Sequence, residues 1–215
     1  MSNQFQKIKI VKLFASSEYK SRNKAYKVIV KLLKYEFGNE KRQLNEKDII
    51  SIWKGFFIWL WMQDKPILHE EVIGKICNLL PEISCDKVAL EFINAFFITM
   101  IREWKKLMFT EWINSICQLG IFFASVLIYL QPKDTITDEF LTFFSSSVFD
   151  GVVNHGVEFK LHLIDILLDE MVKAMCSQKL TTGILVACIR SMSLMGQKHF
   201  YVIKLKKSIY WWKEF

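Results

Sequence analysis

The 215-residue sequence predicts an all-α fold built from stacked antiparallel helical hairpins, on three observations. Three prolines and eight glycines are few for the turns of an all-β chain, whereas Leu, Ile, Lys, Glu and Phe suit long helices. Apolar residues recur at helical spacing along most of the chain. Ile49 to Met62 is almost wholly apolar, with three tryptophans and Lys54 as its one full charge, and a helix apolar on all sides must be wrapped by other helices. The 52% apolar composition supplies an ample core and excludes a disordered chain.

Taken in order, Phe5 to Phe14 reads as a short amphipathic helix, broken at Ser16 to Ser21, where Ser17 or Ser21 can cap the next. Ala25, Val28, Ile29, Leu32 and Leu33 give that next helix its core face. Lys20, Arg22, Lys24, Lys27, Lys31 and Lys34 occupy its remaining circumference, either as a solvated face or as a basic stripe that follows a phosphate backbone. After the polar loop Gly38 to Leu44, Asn45 with Asp48 three residues on starts the central helix. Gln63 to Lys65 then makes a tight corner, with Asp64 a better cap than Lys65 and Pro66 in the first turn of a second helix running to about Leu80.

Pro81 ends that hairpin, and Ser84 with Asp86 opens a helix to about Trp104, its core face formed by Val88 or Ala89, Phe92, Ile93, Phe96, Met100 and Trp104. Gln131 to Asp134 breaks the chain again, so that a single domain over 1–215 can be divided into lobes 1–131 and 134–215. Thr137 restarts a helix with Phe140, Phe143, Phe144, Val148 and Phe149 on its apolar side. Phe159, Leu163, Ile166, Leu167, Met171 and Met175 keep helical period in the next one, and Thr181 caps a last helix that Gly196 ends.

A formal net charge of +7 favours polyanionic partners. The five cysteines are widely spaced and never in a C-x-x-C pair, which reads as buried thiols in a reducing compartment. Trp112 to Leu130 is uncharged, with Asn114, Ser115, Gln118 and Ser125 as polar residues, and is long enough to be weighed as a membrane anchor. Those polar side chains are costly against lipid and suit a helix packed on protein.

Ile52-Trp53-Lys54-Gly55-Phe56-Phe57, then Trp61 to Pro66 and Glu70-Glu71, resemble the first signature of the nucleolar ribosomal RNA-processing protein 1 family. Ala95-Phe96-Phe97 with Thr99-Met100 and Arg102-Glu103-Trp104 resemble its second, and Asn154 to Val157 leading into Leu163 to Glu170 its third. The likeness runs from about Ser16 to Lys173. One stretch departs from it: Met108 to Trp112 and the uncharged run stand where the family has a more charged helix. The resemblance implies a short HEAT-like α-solenoid of about ten helices. It also implies a nuclear, nucleolar, non-enzymatic factor that supports ribosomal RNA processing and assembly of the large (60S) subunit precursor. Its partners would be proteins of that particle and precursor ribosomal RNA, with no cofactor and no small-molecule substrate.

The residues themselves carry no catalytic signature. Neither G-x-x-x-x-G-K-[ST] nor G-x-G-x-x-G occurs, and His69, His155, His162 and His199 lack metal-ligand spacing. The candidate partner-binding residues are Lys54, Asp64, Lys65, Arg102 and Glu103. Lys204, Lys206, Lys207 and Lys213 with Trp211 and Trp212 are candidate RNA contacts, since lysines meet phosphates while aromatic faces stack on bases. The same tail composition fits an amphipathic helix on a protein or membrane surface. The rival readings of the chain are a general helical adaptor and a protein anchored in a membrane through Trp112 to Leu130.

Overall fold

Within residues 11–36, 45–108, 113–149 and 157–194, which the computed structural model describes, every regular element is helical, as the composition and periodicity predict. The helices are α1 (Tyr19–Lys31), α2 (Glu46–Trp61), α3 (Pro66–Cys77), α4 (Asp86–Met108), α5 (Ile113–Leu130), α6 (Asp134–Phe143), α7 (Val157–Lys173) and α8 (Gln178–Leu194). Single π-helical turns extend α1 over Leu32–Glu36 and α6 over Phe144–Val148, and a 3₁₀ turn at Leu80–Glu82 carries Pro81. Two compact units divide the chain, Met1–Thr99 with Trp112–Gln118 and Met100–Glu111 with Leu119–Phe215.

Aromatic rings build the first unit. Asn45 caps α2, its side chain accepting from the Lys47 N–H, and Glu46 and Asp48 lie at the positive end of the helix dipole. Trp53 is 1% exposed, and its indole N–H donates to the Phe92 carbonyl over 2.9 Å. Its ring centroid lies 4.6 Å from Phe92 and 4.9 Å from Phe96, which locks α2 onto α4. On the neighbouring face Phe14 meets Phe56 edge-on at 5.3 Å and Trp59 at 5.4 Å. Gly55 lets Phe14 come this close: a Cβ there would stand 2.8 Å from the Phe14 ring.

The α2 expectation needs one correction. This helix is buried on most of its circumference but not all, since Ser51, Lys54 and Trp61 are exposed. The cap assignments also shift. Asp64 does not cap α3: the N-cap is Lys65, without a side-chain bond, because Pro66 already removes one of the orphan donors. Ser84 donates instead to the Lys34 carbonyl over 2.9 Å, tying the end of α1 to the start of α4. Glu18 rather than Ser17 or Ser21 holds the N-cap position of α1, with Ser21 donating to the Glu18 carboxylate.

In the second unit, α5 buries Leu119, Phe122, Phe123, Val126, Leu127 and Leu130. From Leu119 to Leu130 the uncharged run thus contributes to the core, and no described helix is long and apolar enough to cross a membrane. Phe123 stacks on Phe144 at 6.2 Å, and Phe144 packs against Phe140 and Phe149. α6 begins at Asp134, three residues before the expected Thr137, whose hydroxyl donates back to the Leu130 carbonyl over 2.8 Å. Gln131 reaches the Ala174 carbonyl over 2.7 Å and pins the α5–α6 turn to the α7–α8 turn. Ser177 takes the capping role expected of Thr181, accepting from the Leu180 N–H.

Met175 departs most from its expected place. Instead of continuing the buried stripe of α7 it lies beyond the helix end, 84% exposed, with φ +49°. The Cys176 N–H donates to Met171 O and the Met175 N–H to Val172 O, the bond pattern of a Schellman terminus in which the left-handed position usually holds glycine. Met175→Gly therefore relieves a left-handed side chain and removes no buried contact. Stability should rise by about 1 kcal/mol, read as a higher urea midpoint; a lower midpoint refutes the strain.

Candidate partner-binding surface

Lys54 is exposed on α2, and seven residues on, along the same helical face, stands Trp61, 57% exposed. The corner follows directly. Asp64 and Lys65 are both exposed there, and Ile67 in the first turn of α3 is 71% exposed. Beneath them the corner is fixed rather than loose: Gln63 is buried, and its amide donates to the Trp59 carbonyl over 2.6 Å. Three of the five candidate residues thus fall on one exposed strip of chain in the first unit, from Lys54 to Ile67, together with two large apolar side chains. Sequence reasoning missed Trp61 and Ile67 as surface residues. A signal for the first was present, because Lys54 marks the outward side of α2 and position 61 repeats it after two turns.

Arg102 and Glu103 lie on the part of α4 that belongs to the second unit. Arg102 is exposed and makes no ion pair among the described residues. Glu103 is half-buried beside Trp104, whose ring stacks on His162 at 5.4 Å and meets Phe159 at 5.1 Å. The helix runs on past this triplet to Met108. Lys204, Lys206, Lys207, Trp211, Trp212 and Lys213 lie outside the described residues.

A brace between α1 and α3 supports the strip. Tyr26 donates to the Lys75 carbonyl over 2.9 Å, and Tyr19 donates to the Glu71 carboxylate over 3.2 Å. Lys75 donates to the same carboxylate oxygen, its ammonium 5.7 Å from the Tyr19 ring centre and 5.8 Å from that of Trp59. The Lys75 hydrogen bond holds the Glu71 carboxyl below its usual range. Partial burial works against the Lys75 charge, yet the hydrogen bond to Glu71 and the neighbouring Tyr19 outweigh it and raise the ammonium. Burial pushes the Tyr26 hydroxyl up, with the Glu82 charge adding to it. Glu71, which belongs to the Glu70-Glu71 pair of the signature, is engaged in this brace.

Among the described residues no group of three His, Cys, Asp or Glu side chains could hold a metal ion. Burial pushes the Cys176 thiol up to about 11 and the Cys188 thiol up to about 12, so both are thiols and not nucleophilic thiolates near neutral pH. Cys188 is buried as expected, whereas Cys77, Cys85 and Cys176 are only half-buried.

The family model described as "Nucleolar protein, Nop52" matches residues 5–210. The chain belongs to the Nop52 family. Relatives of this Nop52 chain carry names that agree. Ribosomal RNA processing protein 1 homolog of Drosophila melanogaster is 24% identical over 174 residues, covering 79% of this chain and 25% of the relative. Ribosomal RNA processing protein 1 homolog B of Homo sapiens is 28% identical over 180 residues, 77% of this chain and 22% of the relative. The homolog of Caenorhabditis elegans is 24% identical over 188 residues, 86% of this chain and 46% of the relative. The chain thus spans about a quarter of the length of the first two relatives. Membership places it in a family of nucleolar proteins, as the tryptophan-rich signature at Ile52 to Pro66 implies.

Proposed function

We propose that this Nop52 chain is a non-enzymatic scaffold in the assembly of the large ribosomal subunit precursor, where it supports ribosomal RNA processing by docking on proteins of that particle. The observation that carries the reading is the outward strip of Lys54, Trp61, Asp64, Lys65 and Ile67. Tryptophan exposed beside charged side chains, on a backbone fixed from below, is the composition of an interface anchor rather than of a solvated face. Arg102 and Glu103 form a second contact in the same role. The relatives' names speak of ribosomal RNA processing, which supports a role on a ribosomal precursor.

Sedimentation of a tagged chain from nuclear extract on a sucrose gradient tests this, with sequencing of the RNA that comes down. The expected result is co-migration with large-subunit precursors carrying unprocessed spacer RNA. Changing Trp61 and Ile67 together to Ala should move most of the chain to the top of the gradient while its circular dichroism is unchanged. A wild-type chain at the top without RNA would return the protein to a general helical adaptor.

A further inference from the structure

α1 carries a separate surface. Six cations lie between Lys20 and Lys34 with no acid among them, and the structure sorts them into two groups. Arg22 is buried, its guanidinium donating to the Ser16 carbonyl over 2.7 Å and the Ser17 carbonyl over 3.0 Å, where it closes the turn before the helix. Lys34 pairs with Glu82. The other four, Lys20, Lys24, Lys27 and Lys31, are exposed and form no ion pair among the described residues.

Their spacing is 4, 3 and 4 residues, which on an α-helix confines them to an arc of about 60° and a line about 16 Å long. We infer that this line is a binding surface for the sugar-phosphate backbone of RNA, and the inference rests on the particle-associated reading above. Four like charges along one face repel one another, and an anion running parallel to the helix relieves that repulsion. At the roughly 3.4 Å per nucleotide of a helical strand, the line faces about five phosphates. Lysine ammonium groups are point charges without the fork that reads base edges, so the contact positions RNA and carries little sequence preference.

The remaining faces of α1 distinguish this from a membrane contact. A helix lying on a lipid surface sets apolar side chains beside its cations. Here the apolar side of α1 is spent on the core through Ala25, Ile29 and the Tyr26 ring, which meets Trp59 at 5.4 Å. Only the ammonium groups face outward along the line.

The test is the affinity of the purified full chain for a fluorescein-labelled 20-nucleotide single-stranded RNA, measured by anisotropy between 50 and 300 mM KCl (roughly the range over which phosphate contacts screen out). Replacing Lys20, Lys24, Lys27 and Lys31 by Gln should weaken binding at 100 mM KCl at least about tenfold and lower the slope of log K against log salt by about 3. Lys34→Gln, which removes a cation already paired with Glu82, should leave the slope unchanged. An unchanged affinity and slope in the fourfold variant overturns the inference, as does a wild-type chain that does not bind the RNA. So does polyglutamate that displaces RNA at equal charge, because the surface would then be one for acidic protein. The gradient experiment with the wild-type chain is independent: it decides the association with the particle whether or not the stripe holds RNA.

Discussion

Replacing Trp53 by Ala should lower the stability of the chain by about 4 kcal/mol, the usual cost of emptying a buried tryptophan site. The neighbours cannot close the gap, because Phe92 and Phe96 sit on a different helix from Phe56, and each ring is already held by others. Since whole domains are stable by only about 5–15 kcal/mol, a quarter or more of the total would vanish. Urea unfolding followed by circular dichroism reads this as a fall in the midpoint. Trp61→Ala, eight positions along the same helix, should shift stability by no more than about 0.5 kcal/mol because its ring is mostly in solvent. Equal losses in the two variants would mean that the inside and outside of α2 are wrongly assigned.

Two glycines in helices should respond to alanine with opposite signs. Glycine inside a helix costs about 1 kcal/mol relative to alanine, so replacement at an open site stabilises. Gly74 is such a site, with no atom within 4 Å of the added Cβ, and Gly74→Ala should raise stability by up to about 1 kcal/mol. At Gly55 the added carbon stands 2.8 Å from the Phe14 ring and 3.2 Å from a Val11 methyl. Phe14 cannot retreat, being fully buried against Phe56 and Trp59, so overpacking of about 1–3 kcal/mol exceeds the helical gain. Gly55→Ala should therefore lower the urea midpoint while Gly74→Ala raises it. A rise in both would show that the Phe14 contact is soft.

The contrast between these sites explains which parts of the fold can be read from the sequence. Helix positions and the core face of α4, from Val88 through Trp104, follow from apolar spacing because burial there has one period and one side. Cap residues were harder. Asp64, Ser84 and Thr181 are all good acceptors by type, but Pro66 had already removed a donor, the Lys34 carbonyl claimed the Ser84 hydroxyl, and Ser177 stood one turn earlier. Such competition between partners distant in the chain is not encoded in local spacing.

For the surface, the charged candidates Lys54, Asp64 and Lys65 were legible because a charge beside an apolar run must face outward. Trp61 and Ile67 were not, since an apolar residue in an apolar run looks like core until its neighbours are placed. Arg22 was misread in the other direction. Its charge suggested the basic stripe, yet two carbonyls at the Ser16–Ser17 turn need donors, and the guanidinium supplies them from a buried position.

α1 turns one face, through Ala25 and Ile29, to the core, and another, through Lys20, Lys24, Lys27 and Lys31, to the outside. Since no side chain serves both, substitutions on the two faces should act independently. A lineage can then alter the outer lysines, strengthening or weakening its hold on a partner, without shifting the melting temperature, and can repack the core without changing what is held. Divergence in this chain should therefore follow two separate clocks, one set by packing and the other by the partner.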